Sequence, residues 1–380
     1  MRLTAEGKFG AGSVAALYRA LDEIAPWNGA EEWDNVGLLA GRPEWPARRI
    51  LTAIDLTDAV AREALRKKCD ALVLYHPPIF KGVRDITPET VGPTTLLPDL
   101  LAARVAILAT HTAFDAAAGG INDLLLDLLE PIARRPLAPN IGASDDCKLV
   151  VFTPRADVER LRRALSAVGA GVIGHYSQCS YELEGRGTFL GDETTHPAVG
   201  RKRVLETVAE VRLEMVAPHR RLAEIVRALY ANHPYEEPAF DVYPLQRVGG
   251  RGRSGQGRIG ELRRPTSGME LIRKLAAGVD LSTATCVGNL KRRFRFVAVA
   301  AGAFGAERFR SPDTLALTGE LKHHDALALL RRGVTALCLG HYASERPALT
   351  ALCRRLRQAL KTSKIAIANS DRAPFQPIRL

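Results

Sequence analysis

The chain of 380 residues carries a formal net charge of +11, with 46% hydrophobic and 25% charged residues. These proportions are typical of globular proteins and exclude general disorder, and the length favours two or three domains. No apolar run is long enough for a membrane span, the first residues do not resemble a secretory signal, and the six cysteines form no C-x-x-C pair. We therefore expect a cytoplasmic protein with reduced thiols and no membrane contact.

The first third of the chain alternates between strand-like and helical patterns. The predicted strands are 49–56, 70–76 and 105–111. The predicted helices are 12–24 after a serine N-cap, 58–68, 94–104 with a break at Pro98, and 121–130. Such alternation predicts βαβ units and a mostly parallel sheet.

The pattern changes near residue 140 and returns in the last third. Residues 147–246 read as an inserted α+β domain, and the Gly/Arg-rich segment 247–258 reads as a turn or linker that closes it. Strands are then predicted at 294–302, 313–319 and 335–341. The fold class is therefore α/β, with residues 1–146 and 247–380 as two parts of one core that the insert interrupts.

Three of the predicted strands lead directly into a histidine: His76, His111 and His341. Parallel sheets place ligand sites outside the carboxyl ends of their strands, so these three imidazoles can converge. Asp115 and Glu345 each follow a histidine by four residues, and imidazole with carboxylate is a ligand set of zinc, manganese or iron. The sequence therefore predicts a metal site.

Simpler interpretations exist for each of these residues taken alone. A histidine at a strand end also serves as a loop residue that bonds to the backbone. Ser344 is a plausible N-cap, which would place Glu345 in the first turn of the last helix, where the helix dipole favours a carboxylate. It is the combination of three histidines and two acids that favours metal binding.

Other polar patterns are weaker. His323 and His324 suggest a solvated pair on an early helix turn. The glycine-containing segments 300–307 and 119–123 resemble anion-binding loops but lack a Walker lysine. The basic segment 247–258 is more often a linker than a nucleic-acid arm, although the net charge leaves nucleic-acid binding open.

Six motifs occur together along the chain. They are WDNVGLLAG (33–41), YHPPIF (75–80), HTAFDAAAGGIND (111–123), HPYEEPAFDVY (233–243), TGELKHHDAL (318–327) and GHYASE (340–345). In this order they resemble the NIF-three-like family, also called the GTP cyclohydrolase I type 2 family. The resemblance covers nearly the whole chain.

The resemblance implies a core of two similar α/β halves with a dinuclear metal site between them. It implies an insert of ferredoxin-like, nitrogen-regulator-like character and a homohexamer of toroidal form. The ligands would be His76, Asp115, His341 and Glu345, with Asp115 bridging two divalent ions of zinc, iron or manganese. His111 would lie beside Asp115 as a catalytic residue that orients it or shuttles a proton, or as a weaker ligand.

One residue departs from the pattern of many bacterial members. They have two adjacent histidines where this chain has Tyr75 followed by His76. A phenol with a pKa near 10 is mostly protonated at neutral pH and is a poor ligand. We therefore expect the Tyr75 ring at the rim of the site and one ion position that binds weakly.

Two kinds of function follow. The first is a metal-dependent hydrolase that acts on a small, nucleotide-like substrate. The alternative is a non-catalytic metal-binding adaptor or regulatory protein that binds a partner protein or a small ligand. A third possibility, DNA binding along the interior of a ring, follows from the charge and predicts a steep dependence on salt.

Overall fold

A computed structural model describes residues 10, 12–87, 89, 92–139, 143–174, 176–246 and 254–377. The chain folds as two compact units, one formed by Met1–Asn140 with Gly249–Leu380 and the other by Ile141–Val248. We call them the core unit and the inserted unit. None of the helices in these ranges is long and apolar enough to cross a membrane.

The first segment of the core unit begins with a capped helix. Its helices are α1 Val14–Ile24, α2 Asp58–Arg66, α3 Leu97–Ala102, α4 His111–Ala116 and α5 Ile121–Asp127. Its strands are β1 Gly37–Ala40, β2 Arg49–Ala53, β3 Ala71–Leu74, β4 Ala106–Ala109 and β5 Ala133–Pro139. Ser13 accepts a hydrogen bond from the Ala16 amide, as the predicted N-cap requires. Pro98 lies in the first turn of α3, where a proline is tolerated.

The inserted unit has the element order strand-helix-strand-strand-helix-strand. Its elements are β6 Ala143–Thr153, α6 Val158–Ala167, β7 Tyr181–Leu190, β8 Leu205–Pro218, α7 Leu222–Asn232 and β9 Phe240–Gln246. The strands form an antiparallel sheet in the order β7-β8-β6-β9. This element order is that of ferredoxin-like units.

The second segment of the core unit starts on a long strand. Its strands are β10 Gly255–Ser267, β11 Thr285–Val287, β12 Arg293–Ala300, β13 Thr314–Thr318, β14 Thr335–Cys338 and β15 Lys364–Ile367. Its helices are α8 Gly268–Leu275, α9 His323–Arg331, α10 His341–Glu345 and α11 Pro347–Ala359. The prediction of a linker over 247–258 was wrong for its last four residues. They begin β10, because the Arg258 side chain finds buried partners there.

Two sheets organise the core unit, with four neighbouring parallel strands in the first, where β15 is parallel to β2, and three in the second. One sheet has the order β1-β4-β3-β2-β15, and the other has the order β11-β14-β13-β12-β10-β5. β2, β3 and β4 are parallel in the first sheet, and β12, β13 and β14 are parallel in the second. The core unit thus consists of two α/β halves.

Side-chain alternation along the parallel strands divides the buried residues into layers. In the first sheet Val73 and Leu108 belong to a large cluster that also takes in α1, α5, α11 and the second sheet. Their neighbours Leu72 and Ile107 point to the other face, into a cluster with α2 and α3. The two sheets therefore share one hydrophobic core, which brings the ends of their strands into one molecular region.

Candidate metal centre

The carboxyl ends of six parallel strands, β2, β3, β4, β12, β13 and β14, supply most of the polar residues of the site. In the first sheet the residues that follow β2, β3 and β4 are Asp55, His76 and His111. In the second sheet the residues that follow β12, β13 and β14 are Gly302, Glu320 and His341. This is the edge at which open parallel sheets bind ligands.

His76, His341 and Glu345 form the centre of the site. Glu345 is 2% exposed, with Oε2 lying 3.1 Å from Nε2 of His76 and Oε1 lying 3.3 Å from Nε2 of His341. One ligand atom from each of the three residues lies within 4.8 Å of the others, close enough for a single metal ion. Three of the four predicted ligands are therefore adjacent, although His76 and His341 are far apart in sequence.

Glu345 reaches this position from a different helix turn than expected. The prediction that Ser344 caps the last helix was wrong. Glu345 is the final residue of α10, and α11 begins afterwards at Pro347, which suits a first helical position. The buried Ser344 hydroxyl instead donates to the carbonyl of His341 and accepts from the Gly302 amide.

A carboxylate lies against Nδ1 of each of the three histidines. The pairs are His76 with Asp55 at 2.9 Å, His111 with Asp34 at 2.8 Å, and His341 with Glu320 at 3.3 Å. A carboxylate on Nδ1 fixes the ring and leaves Nε2 for a ligand, as in most histidines that bind metals. Sequence reasoning missed all three acids. Asp55 and Glu320 had a usable signal, since each follows a buried strand.

The donor set fits a divalent cation. Oε2 of Glu345 is buried and has no hydrogen-bond partner of good geometry, although Nε2 of His76 lies 3.1 Å away. Burial opposes a charge on His76, but its contacts with Asp55 and Glu345 raise its pKa to about 10. Contact with Glu345 raises the pKa of His341 to about 9, and despite burial the two histidines lower the pKa of Glu345 to about 2. Two protonated histidines therefore compensate the charge of the buried carboxylate, and a divalent ion bound to the same three side chains could replace their protons.

Asp115 lies beside this centre but does not belong to the group of three residues whose ligand atoms lie within 4.8 Å of one another. One of its oxygens accepts a hydrogen bond from the hydroxyl of Tyr75. Burial and the charge of Glu345 raise the pKa of Asp115 to about 7, because the bond from Tyr75 offsets only part of their effect. The Asp115 carbonyl accepts from Asn122, whose amide oxygen accepts from the Ala301 amide at 2.8 Å. Asn122 thereby connects the Asp115 helix to the end of β12.

The expectation that Tyr75 lies at the rim was wrong, because its side chain is fully buried in the shared core. The ladder of parallel strands continues beyond β3, with the Tyr75 amide donating to Ala53 and the His76 amide donating to Ile54. The chain has therefore not left the sheet, and neighbouring side chains still point to opposite faces. Tyr75 reaches Asp115 from the core side.

The two glycine-containing loops do not have the structure of anion sites. Gly302 has a φ of +65°, and a Cβ there would lie 2.5 Å from Oε1 of Glu345. The loop over 300–307 thus allows close approach to a carboxylate, whose charge would repel an anion. In the 119–123 loop, the Gly119 amide donates to the side chain of Asp123. His323 and His324 are exposed on the first turn of α9, as expected of a solvated pair.

The chain is similar to known proteins over most of its length. The family described as Duf34/NIF3 (NGG1p interacting factor 3) matches residues 13–374. A protein of Halalkalibacterium halodurans, named GTP cyclohydrolase 1 type 2 homolog, is 34% identical over 328 residues, covering 86% of this chain and 87% of its own. A Mycobacterium tuberculosis protein of the same name is 35% identical over 343 residues, with 88% of each chain covered.

A solved structure has the same architecture. It is the crystal structure of a Bacillus cereus protein related to NIF3, with a TM-score of 0.82 and 29% sequence identity. The similarity covers 98% of this chain and all of that one. It therefore includes both units.

Proposed function

This chain belongs to the Duf34/NIF3 family, and we propose that it is a divalent-metal-binding protein that acts as a metal-dependent hydrolase on a nucleotide-like substrate. The observation that carries the proposal is the buried carboxylate of Glu345 between His76 and His341, with one oxygen that accepts no hydrogen bond. The name GTP cyclohydrolase 1 type 2 homolog, given to relatives at 34–35% identity, supports a nucleotide-like substrate.

In this proposal His76, His341 and Glu345 hold one ion, which is zinc, iron or manganese. Asp115, which keeps one oxygen free of the bond from Tyr75, would complete the ligands of this ion and, with His111 nearby, would help to hold a second, more weakly bound ion. When bound, a divalent ion acts as a Lewis acid that activates water and polarises the group under attack. The core residues Tyr75 and Asn122 fix the orientation of Asp115.

His111 is the proposed proton carrier. Its ring centroid lies 5.2 Å from that of His76, beside the ion-binding group. The fully buried carboxylate of Asp34 holds Nδ1 and also accepts from the amide and hydroxyl of Thr112. A carboxylate in this position stabilises the imidazolium that forms when Nε2 takes a proton. Asp34 itself touches no substrate and is a positioning residue.

Metal content and hydrolysis should be measured together on the purified chain. We expect bound divalent ion in the wild type, sharply reduced content in Glu345→Gln, and unchanged content in the matched control His324→Ala. Hydrolysis is screened with GTP and other nucleotides on the same samples. Equal metal content in wild type and Glu345→Gln would refute the metal site, independently of any activity.

The second candidate is a non-catalytic metal-binding adaptor or regulatory protein. The hydrogen bond from Tyr75 favours it, because this bond occupies an Asp115 oxygen that a dinuclear catalyst would use. Stable metal binding that depends on Glu345, together with no turnover of any nucleotide, would support this alternative.

We also propose the larger organisation that the family implies. Residues 147–246 form an autonomous ferredoxin-like domain with nitrogen-regulator-like character, and the chains assemble into a toroidal homohexamer. The strand-helix-strand-strand-helix-strand order of the inserted unit supports the first statement. Sedimentation analysis of the full chain tests the second.

A further inference from the structure

Two large aromatic side chains are exposed next to the candidate metal centre. Trp33 is 59% exposed and Phe80 is 49% exposed. Their ring centroids lie 5.7 Å apart at an interplanar angle of 54°, so the rings do not cover each other's faces by stacking. Both rings also lie against His111, at 5.9 Å for Trp33 and 6.4 Å for Phe80.

The exposure of this pair is not the result of a loosely held loop. On either side of Trp33, the Glu31 amide donates to the hydroxyl of Thr112, and Asp34 is bonded to both His111 and Thr112. The next residue, Asn35, donates its side-chain amide to the carbonyl of Ile79 at 2.6 Å, directly before Phe80. The two rings are therefore fixed to each other and to His111 while their faces remain open to solvent.

The pair continues the row of rings that leads to the ion-binding group. His111 lies 5.2 Å from His76, and His76 lies 5.3 Å from His341, centroid to centroid. A ligand that stacks on Trp33 or Phe80 is thus two ring contacts away from His76. A ligand with a planar ring at one end and a polar or anionic group at the other would fit this row. Its ring would lie on Trp33 or Phe80, and its polar group would lie near the ion-binding residues.

We propose that Trp33 and Phe80 form a stacking subsite for the planar heteroaromatic ring of the substrate, with His111 and the ion-binding group receiving its polar end. The proposal rests on the proposed function and specifies which part of the substrate is recognised, and where. Aromatic side chains accept any base by its π-face, so the subsite recognises a planar ring without hydrogen-bond readout. An exposed aromatic pair of fixed geometry is suited to this because little side-chain freedom is lost on binding.

The test measures ligand binding calorimetrically on the metal-loaded full chain, with GMP, flavin mononucleotide and ribose 5-phosphate as probes. Trp33→Ala and Phe80→Ala should each weaken GMP binding by about 5- to 150-fold, the range that corresponds to loss of one base–aromatic contact. Trp33→Phe should retain most of the affinity. Ribose 5-phosphate, which has no ring to stack, should bind the wild type and Trp33→Ala equally.

Controls separate the subsite from the metal centre and from the fold. Metal content should be the same in the wild type, Trp33→Ala and Phe80→Ala, because neither side chain offers a metal ligand. Tyr181→Ala, which removes another exposed aromatic side chain from β7, should leave GMP binding unchanged.

The outcomes distinguish this proposal from the proposed function. GMP binding that is unaffected by Trp33→Ala and Phe80→Ala overturns the subsite and leaves the nucleotide substrate standing. Binding of flavin mononucleotide alone, with loss in both variants, supports the subsite and shows that the recognised ring is not a purine base. No binding of any ring-containing probe refutes both. A changed oligomeric state in Trp33→Ala with unchanged ligand binding overturns the subsite and identifies the pair as an interface between copies.

Discussion

The hydroxyl of Tyr75 donates a hydrogen bond to one oxygen of Asp115. Burial and the nearby charges of Asp115 and Glu345 raise the pKa of Tyr75 well above its ordinary value, which favours the protonated phenol as a hydrogen-bond donor. Where a histidine would add a metal ligand, this chain has a hydrogen bond. In the proposed dinuclear site, the second ion position near Asp115 and His111 would therefore have one ligand fewer.

We predict that the wild type binds one divalent ion tightly and a second one weakly. Tyr75→His should strengthen the weaker position, because the imidazole can bind a metal ion, whereas the phenol only donates a hydrogen bond to Asp115. Tyr75→Phe frees the Asp115 oxygen but adds no ligand, and should therefore gain less. Calorimetric metal titration of the three proteins measures this. Two equally tight ions in the wild type, with no gain in the histidine variant, would contradict it.

Gly302 permits the close approach of Glu345 to the end of β12. Since a Cβ at this residue would lie 2.5 Å from Oε1 of Glu345, Gly302→Ala should displace the carboxylate and weaken metal binding by about tenfold or more. The matched control is Gly305→Ala in the same loop, whose Cβ would meet only the exposed side chain of Glu307. Equal metal affinity in both variants and the wild type would show that Gly302 has no such role.

The sequence predicts the histidines of the site more readily than the carboxylates that contact their Nδ1 atoms. His76 and His341 could be predicted because each follows a buried strand, and parallel strands end at a common edge. Asp34 gave no comparable signal, since the segment before β1 has no regular pattern and its contact with His111 forms only in the folded chain. The position of Tyr75 was predicted wrongly because the end of the strand pattern was taken as the end of the ladder.

At the scale of secondary-structure elements, β10 connects the two segments of the core unit. It pairs with β5 of the first segment and with β12 of the second. From it the buried guanidinium of Arg258 donates to Asp123 at 2.9 Å. The same group donates to four backbone carbonyls, those of Gly255, Gly257, Ala116 and Ala117. These contacts fix the turn that follows α4, the helix of Asp115.

Arg258→Met should destabilise the core unit by about 3–5 kcal/mol, because it removes the buried cation beside Asp123 and leaves four backbone carbonyls without their donor. Arg134, at 3.4 Å, is the cation that remains near Asp123. Denaturant unfolding measures the change. Arg263→Met, on an exposed position of the same strand, should change stability by no more than about 0.5 kcal/mol. A similar small effect for both substitutions would show that the Arg258 network contributes little.

Capped helices and fully buried strands could be predicted from the sequence, whereas edge strands could not. Helices α1 and α2 have clear caps and apolar spacing. β1 and β15 are edge strands with partly exposed residues, so they lack the continuous buried apolar run that reveals β3 and β4 at the same length of four residues. The start of β10 is rich in glycine and arginine, a composition typical of linkers, and only the buried partners of Arg258 make it a strand.

At the scale of the whole molecule, the two segments of the core unit exchange strands. β5, from the first segment, is an edge strand of the second sheet, and β15, near the end of the chain, pairs with β2 in the first sheet. Local patterns cannot reveal such pairings, because the partners lie far apart in sequence and their contacts depend on the folded sheets. Because of this exchange, neither segment contains a complete sheet. The proposed ligands are also divided, two in each segment.

The pairing of β5 with β10 also defines how the insert can be removed. Pro139 and Gly255 are direct partners in this antiparallel pair, so the chain leaves and re-enters the core unit at neighbouring positions. Replacing residues 141–252 by a short Gly/Asn turn should therefore convert β5 and β10 into a hairpin.

The shortened protein should keep its secondary structure and its metal, because His76, Asp115, His341 and Glu345 all lie in the core unit. Circular dichroism and metal analysis measure this, with Glu345→Gln in the shortened chain as the negative control. Loss of structure on removal of the insert would show that the core unit requires it to fold. A folded core with no metal would show that the inserted unit contributes to the metal centre.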